Sequence, residues 1–446
     1  MTDQTFRPRR FLFATWDGGG NIPPALTAIR ALIQRGHEVA VLCDDATAAD
    51  VRAAGARAMP WRRAPNRPDR TPESDLIRGW EAPSERDELA FVRDRLFVNP
   101  AESYARDVID ALDVFDADVV VPNDMLFGAI IGAEAAKRPI AVLAPNLSLF
   151  PIAGLPAFGP GFFPATNDGE HERDRQVAAG SRAMLDAALP RFNKARQNLG
   201  LEPITSLLDV CDAANRVLLA TSRAFDYPLA SPPKSFRYIG PLLDRPVWAA
   251  GEERNTIPND PHVLIALSTT FQDQGHALGN AIKAMDGLPF QAIATLGPSL
   301  ESARFDAPAN VKVVSAADHD CLMASARLVV THAGHGTVMR ALRHSLPLVC
   351  LPMGRDQHDN AARVAFHGAG LRLDRAESPA AIRAAITAVL GDPKFKLAAK
   401  ALQDEILAQD SEAQLISELE MLEDSNLGRP KSPGLQTGAI AATVLL

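Results

Sequence analysis

The sequence predicts an α/β protein of two doubly wound parallel-sheet domains. Short apolar runs alternate with stretches of helical apolar spacing, the rhythm of a parallel sheet covered on both faces. The rhythm stops at a charged stretch, 241–261, with prolines at 241, 246, 258 and 261, and then restarts. The chain has 446 residues, too many for one ordinary domain.

In the first half, 10–16 reads as a buried strand and Asp17-Gly18-Gly19-Gly20-Asn21 as a glycine-rich turn. Pro23 and Pro24 stand at a helix start, where a missing N–H is tolerated. Leu26, Ile29, Leu32 and Ile33 give 25–35 helical spacing, Gly36 caps it, and 37–43 is the second strand. Residues 62–99 are rich in Arg, Pro, Asp and Glu and read as an irregular excursion plus helix. A strand at 118–122, a small-residue helix at 125–137 and a strand at 140–144 follow. Residues 149–163, rich in Pro, Gly and Phe, suit a loop lining an apolar pocket. A strand at 217–221 and residues 237–241 close the half.

Strands in the second half are expected at 262–267, 291–296, 311–314, 328–331 and 348–351, with helix over 379–422. The expected division is a first domain at 1–241, a linker at 242–260, a second domain at 261–400, a helical segment at 401–424 and a tail at 425–446.

Composition narrows the function classes. A hydrophobic content of 47% supplies ample core, and a net charge of −8 argues against a dedicated nucleic-acid surface. No stretch approaches a membrane span and the start does not read as a signal peptide, so the expectation is a cytoplasmic protein. Cys43, Cys211, Cys321 and Cys350 lack metal or redox spacing and read as reduced thiols. Nothing in the sequence indicates an oligomeric state.

Residues 331–361 carry the most chemistry. An apolar strand runs into Thr331-His332-Ala333-Gly334-His335-Gly336-Thr337, a helix follows over 337–344, and Asp356-Gln357 stands after the next strand. The unit aims a helix N-terminus, free N–H groups and a histidine at whatever lies above the strand ends, which is an anion site.

This segment resembles the donor-binding signature of family 1 glycosyltransferases, the nucleotide-sugar-dependent enzymes. Thr331, His332, Gly334, Thr337, Asp356 and Gln357 match its spacing. The resemblance spans 10–423, with weaker anchors at 35–39, 118–121, 238–241 and 267–270. It implies the GT-B fold, two Rossmann-like domains facing across a cleft, with a last helix at 411–423 crossing back to the first. It further implies a metal-independent inverting hexosyltransferase without a cofactor. The donor would be a nucleotide sugar, UDP-glucose first and dTDP-sugars second. The acceptor would be a small lipophilic molecule such as a phenol, polyketide or terpenoid.

By that resemblance His332 and the turn Gly334, His335, Gly336 and Thr337 would stabilise the leaving diphosphate, Asp356 and Gln357 would hold sugar hydroxyls, and His319 would lie near the nucleotide. Thr269 is read equally as a phosphate contact or a structural turn. Arg340 stands where plant members carry a ribose-binding Glu. Two Asp-x-Asp pairs, Asp116/Asp118 and Asp318/Asp320, read as turn or capping residues, so no metal ligand is assigned. Phe150, Phe158 and Phe162 are the candidate acceptor-lining residues.

One departure matters. The family's turn reads Gly-His-x-x-Pro, with the His as general base; here it is Gly20-Asn21-Ile22-Pro23-Pro24. A neutral amide does not accept a proton usefully at pH 7. Asp124, read as base or as cap of the helix near 125, and Asp17 are the candidate replacements. Alternatively the acceptor needs little base help, or the chain is a catalytically silent nucleotide-sugar binder. A nucleotide-sugar epimerase on the same fold is a further alternative.

Overall fold

Residues 11–14 are fully buried because the strand they belong to, β1 (Arg10–Ala14), lies inside a parallel sheet covered on both faces. The computed structural model describes residues 7–229, 232–243, 261–268, 271–297, 300 and 304–422. Parallel neighbours β2 (Glu38–Cys43), β3 (Arg57–Pro60) and β4 (Val119–Pro122) give the order β3-β2-β1-β4. A second parallel set, β5 (Ala141–Ala144), β6 (Arg216–Leu219) and β7 (Phe236–Tyr238), continues it through bridges from Val120 to Ile140 and Asn123 to Leu143.

The second half holds β8 (His262–Ala266), β9 (Gln291–Thr295), β10 (Val311–Val314), β11 (Ala326–Thr331), β12 (Leu348–Cys350) and β13 (Gly370–Arg372), all parallel, in the order β10-β9-β8-β11-β12-β13. Each sheet therefore reverses its winding once, between β1 and β4 and between β8 and β11. Crevices at such switch points, outside the strands' carboxyl ends, are where open α/β sheets bind ligands.

Alternation along β1 feeds two cores. Phe11 and Phe13 face the helix Ile22–Arg35, while Leu12 and Ala14 face the helices Ala101–Phe115 and Phe127–Ala135. The last two helices touch closely. A Cβ at Gly128 would lie 2.4 Å from the Ala101 carbonyl oxygen, and one at Gly132 2.7 Å from Ala105 Cα. The helix Ser411–Glu420 packs on the first half, where Leu415 and Leu419 join the Phe11 core. Its Glu418 pairs with Arg216 and Arg237, and Glu420 with Arg35 and His37.

Several elements differ from the sequence expectation. The edge strands β3 and β13 were not anticipated, because Arg57 to Pro60 and Gly370 to Arg372 are too short and polar to show a buried pattern. The helices Asp168–Asp186 and Leu189–Asn198 were missed too; the first buries only Leu185 and so lacks an apolar stripe. The helix expected at 125–137 is Phe127–Ala135, because Asn123 Oδ1 accepts from the Met125 N–H and holds a turn ahead of it. The stretch 379–422 is three helices, Pro379–Gly391, Pro393–Leu407 and Ser411–Glu420, the second and third N-capped by Asp392 and Asp410. Most of the expected linker, 244–260, and the tail, 425–446, lie outside the described residues. Among the described residues no helix is long and apolar enough to cross a membrane.

Candidate functional site

The glycine-rich turn after β1 is fastened from within. Asn21 Nδ2 donates to the Trp16 carbonyl at 2.7 Å, and Asn21 Oδ1 accepts from the Gly18 N–H at 3.0 Å. The Trp16 ring lies over the turn; a Cβ at Gly18 would sit 2.6 Å from it. Asn21 thus spends both ends of its amide on the turn that carries it.

Asp17 is also committed. Its Oδ1 accepts from the Gly19 N–H at 3.0 Å and its Oδ2 from Arg70 Nε at 3.1 Å, with Arg67 Nη1 at 3.8 Å. Asp44 supports the turn from beneath by accepting the Asp17 N–H at 2.6 Å, and burial raises its carboxyl to about 6. Both Asp17 carboxylate oxygens are thus committed to the turn and to Arg70.

Asp124 is placed differently. It follows β4 at the first switch point and is 3% exposed, and its Oδ1 has no hydrogen-bond partner. It does not cap the next helix, whose N-cap is Leu126. Burial lifts its carboxyl to about 7, with the charge of Asp356 adding and the backbone N–H groups of Met125 and Asp124 and the Asn123 side chain opposing. A small cavity nearby in the same half is lined by Phe13, Thr15, Asn21, Ala25, Val121, Asn123, Leu143 and Pro145; Asp124 itself is not part of its wall.

At the second switch point β11 ends in Thr331 and the chain turns through Ala333, whose φ of 65° is rare for a residue with a side chain. The helix His335–Arg343 begins two residues earlier than expected, with Gly334 as its N-cap and no side-chain cap. A Cβ at Gly334 would lie 2.5 Å from His332 Nε2, so a side chain there would displace the imidazole. Burial, then the nearby Arg355 charge, brings His332 down to about 3, so its imidazole is neutral. Gly336 is exposed at the helix start.

The carboxylate and amide after β12 open the helix Gln357–Phe366 instead of lying in a loop. Asp356 Oδ2 accepts from Asn360 Nδ2 at 2.8 Å and, across the cleft, from Asn146 Nδ2 at 3.1 Å. Asn360 also donates to the Ala333 carbonyl at 3.0 Å, tying Asp356 to the His332 turn. Gln357 donates to Gln272 Oε1 and accepts the Met353 N–H, both at 2.8 Å. His319 Nε2 lies 3.1 Å from Thr295 Oγ1, and burial with the Arg340 charge lowers it to about 4. Arg340 is paired with Asp320, and Asp318 caps the helix His319–Met323.

Four expected residues are not in the cleft as read from sequence. His335 turns away, its Nε2 2.9 Å from Thr221 Oγ1 of the first half, so only its backbone faces the turn. Phe150 is a core residue packed on Phe127. Phe158 packs against the core of the second half, and Phe162 lies under the Arg173 guanidinium at 4.0 Å. The three phenylalanines therefore do not share a pocket: the loop 149–163 is a strap between the halves, held by Asp359 on the Gly159 N–H and Arg372 on the Gly161 carbonyl. Thr269 lies outside the described residues.

Two cleft residues escaped the sequence reading, Asn146 and Arg355. Asn146 stands just past β5, the position relative to its strand that Asp124 holds past β4, and that parallel was the available signal.

Comparison with known proteins adds the following. Residues 279–422 match the family model described as erythromycin biosynthesis protein CIII-like, C-terminal domain. The chain is 29% identical over 434 residues to 4'-demethylrebeccamycin synthase of Lentzea aerocolonigenes, covering 93% of this chain and 99% of that protein. Its fold is similar to the calicheamicin glycosyltransferase CalG4, with a TM-score of 0.72 and 22% identity over 93% of this chain and 98% of the other. It is similar also to the spinosyn rhamnosyltransferase SpnG complexed with thymidine diphosphate, with a TM-score of 0.63 and 21% identity over 92% and 100%.

Proposed function

We propose that this chain, which belongs to the bacterial-type family 1 glycosyltransferases of GT-B fold, moves a hexosyl group with inversion from a nucleoside diphosphate to a small lipophilic acceptor. It is a glycosyltransferase of the natural-product, small-molecule type. In the proposed reaction the acceptor oxygen attacks the anomeric carbon, the bond to the phosphate oxygen breaks, and the acceptor proton passes to Asp124. The observation that carries this reading is the buried, unpartnered Oδ1 of Asp124 at one switch point, with Asp356 and the His332 turn at the other. A carboxyl near 7 is matched to proton transfer at neutral pH, a contribution typically of about 10²–10⁴-fold. His332 and the helix N-terminus would stabilise the diphosphate, and Asp356 the sugar hydroxyls, without a metal ion. A cytoplasmic setting belongs to the same proposal.

UDP-glucose is the first donor to try. A specific observation favours a second reading, a thymidine-diphosphate sugar. Arg340 stands where a ribose-binding carboxylate would be and is itself paired with Asp320, which suits a nucleotide lacking the 2′-hydroxyl. The test is a matrix of nucleotide sugars against phenol, polyketide and terpenoid aglycones, read by mass spectrometry. Transfer from one donor class names the donor. Donor binding without transfer to any acceptor would favour a silent binder and overturn the enzyme reading.

A further inference from the structure

Resting on the donor reading above, we propose that Arg355 is a second diphosphate-binding residue. It would supply the full positive charge that the His332 turn lacks.

A nucleoside diphosphate brings two or more negative charges. At the turn the helix His335–Arg343 offers only a partial charge, and the His332 imidazole is neutral. Two neighbouring arginines are neutralised by carboxylates, Arg340 by Asp320 and Arg363 by Asp226. Arg355 is the arginine whose charge acts on both His332 and Asp356. It precedes Asp356 at the start of the helix Gln357–Phe366, in a left-handed backbone conformation with φ of 57°. Its Nη1 reaches over the cleft to the Gly18 carbonyl at 3.3 Å, a long contact to a neutral acceptor. A phosphate oxygen is the stronger partner for a guanidinium and would compete well for that donor. The same exchange would release the Gly18 carbonyl of the turn that carries Asn21.

The experiment is calorimetric titration of wild type, Arg355→Gln and Arg355→Lys with UDP, dTDP, their monophosphates and the free nucleosides. The expected result is diphosphate binding weakened about tenfold or more in Arg355→Gln. Arg355→Lys should recover part of it, nucleoside binding should stay within about twofold, and the melting temperature should be unchanged. Equal diphosphate affinity in wild type and Arg355→Gln would overturn the inference and leave the donor reading intact. A parallel loss for nucleosides would also overturn it, since the residue would then only hold the cleft in shape. A wild-type protein that binds no nucleoside diphosphate would overturn the donor reading, and this inference with it.

Discussion

Asp226 and Arg363, 137 residues apart, form a buried ion pair between the two halves, with Nη2 and Oδ1 at 2.7 Å. The Tyr238 hydroxyl donates to the other Asp226 oxygen at 2.6 Å, and the Arg363 guanidinium lies 4.2 Å over the Tyr227 ring. Arg363 belongs to the helix that opens with Gln357, so the pair also fixes the Asp356 side of the cleft against the first half. Removing one partner leaves the other charge buried and uncompensated, typically about 3–5 kcal/mol. Arg363→Met should therefore lower the melting temperature markedly and raise KM for the donor. A double variant, Asp226→Leu with Arg363→Met, should recover much of the stability. Calorimetric melting of the three proteins checks both statements.

Asp124 sets a pH dependence. The folded protein is penalised for ionising this carboxyl. That cost is absent below the unfolded carboxyl's value of about 3.9 and complete once pH exceeds about 7. Stability should fall over this window as pH rises, and Asp124→Asn should remove that part of the slope. Under the proposed role of Asp124 activity should run the other way, because only the carboxylate accepts a proton. Transfer to weakly acidic alcohols should rise to a plateau above pH 7, and Asp124→Asn should cut it about 10²–10⁴-fold while sparing acidic phenols. Rate profiles for one alcohol and one phenol, wild type against variant, decide the matter; a harmless substitution for every acceptor would place the base elsewhere.

His332→Ala should remove most transfer, on the order of 2.7–4 kcal/mol, with the fold intact by melting. Because burial holds the imidazole near 3, His332 should add no pH limb between 5 and 9. Activity should also survive excess EDTA, since a helix N-terminus can hold the diphosphate. Near-normal turnover by His332→Ala, or a strict and restorable need for Mg²⁺ or Mn²⁺, would sink the diphosphate assignment.

Asn21→Ala should loosen the glycine-rich turn by removing two hydrogen bonds, each worth about 1 kcal/mol net. Asn21→His is the more telling change. An imidazole there keeps at most part of the amide's bonding, so stability should fall, while transfer to alcohols should rise if Asp124 remains to orient the ring. Parallel melting and kinetic measurements separate the two effects. A variant that gains transfer from a wild type with none would show that the natural chain only binds its donor.

The succession of central strands along the chain and both switch-point turns were legible in the sequence, because buried strands and glycine-rich turns leave local signatures. The placement of Asn21, His332 and Asp356 could be read for the same reason: each lies in the segment that follows a strand end. Edge strands, solvated helices and the partners of each side chain were not legible. Phe150 and Phe158 are eight residues apart in one loop and equally apolar, yet one enters the first core and the other packs on the second half. An apolar side chain declares that it will be buried, not against what. His335 stands three residues from His332 but binds Thr221 of the other half. The charge state of Asp124 was likewise beyond local pattern. It follows from desolvation and from Asp356, more than two hundred residues away, and both exist only once the two sheets have brought their carboxyl edges together.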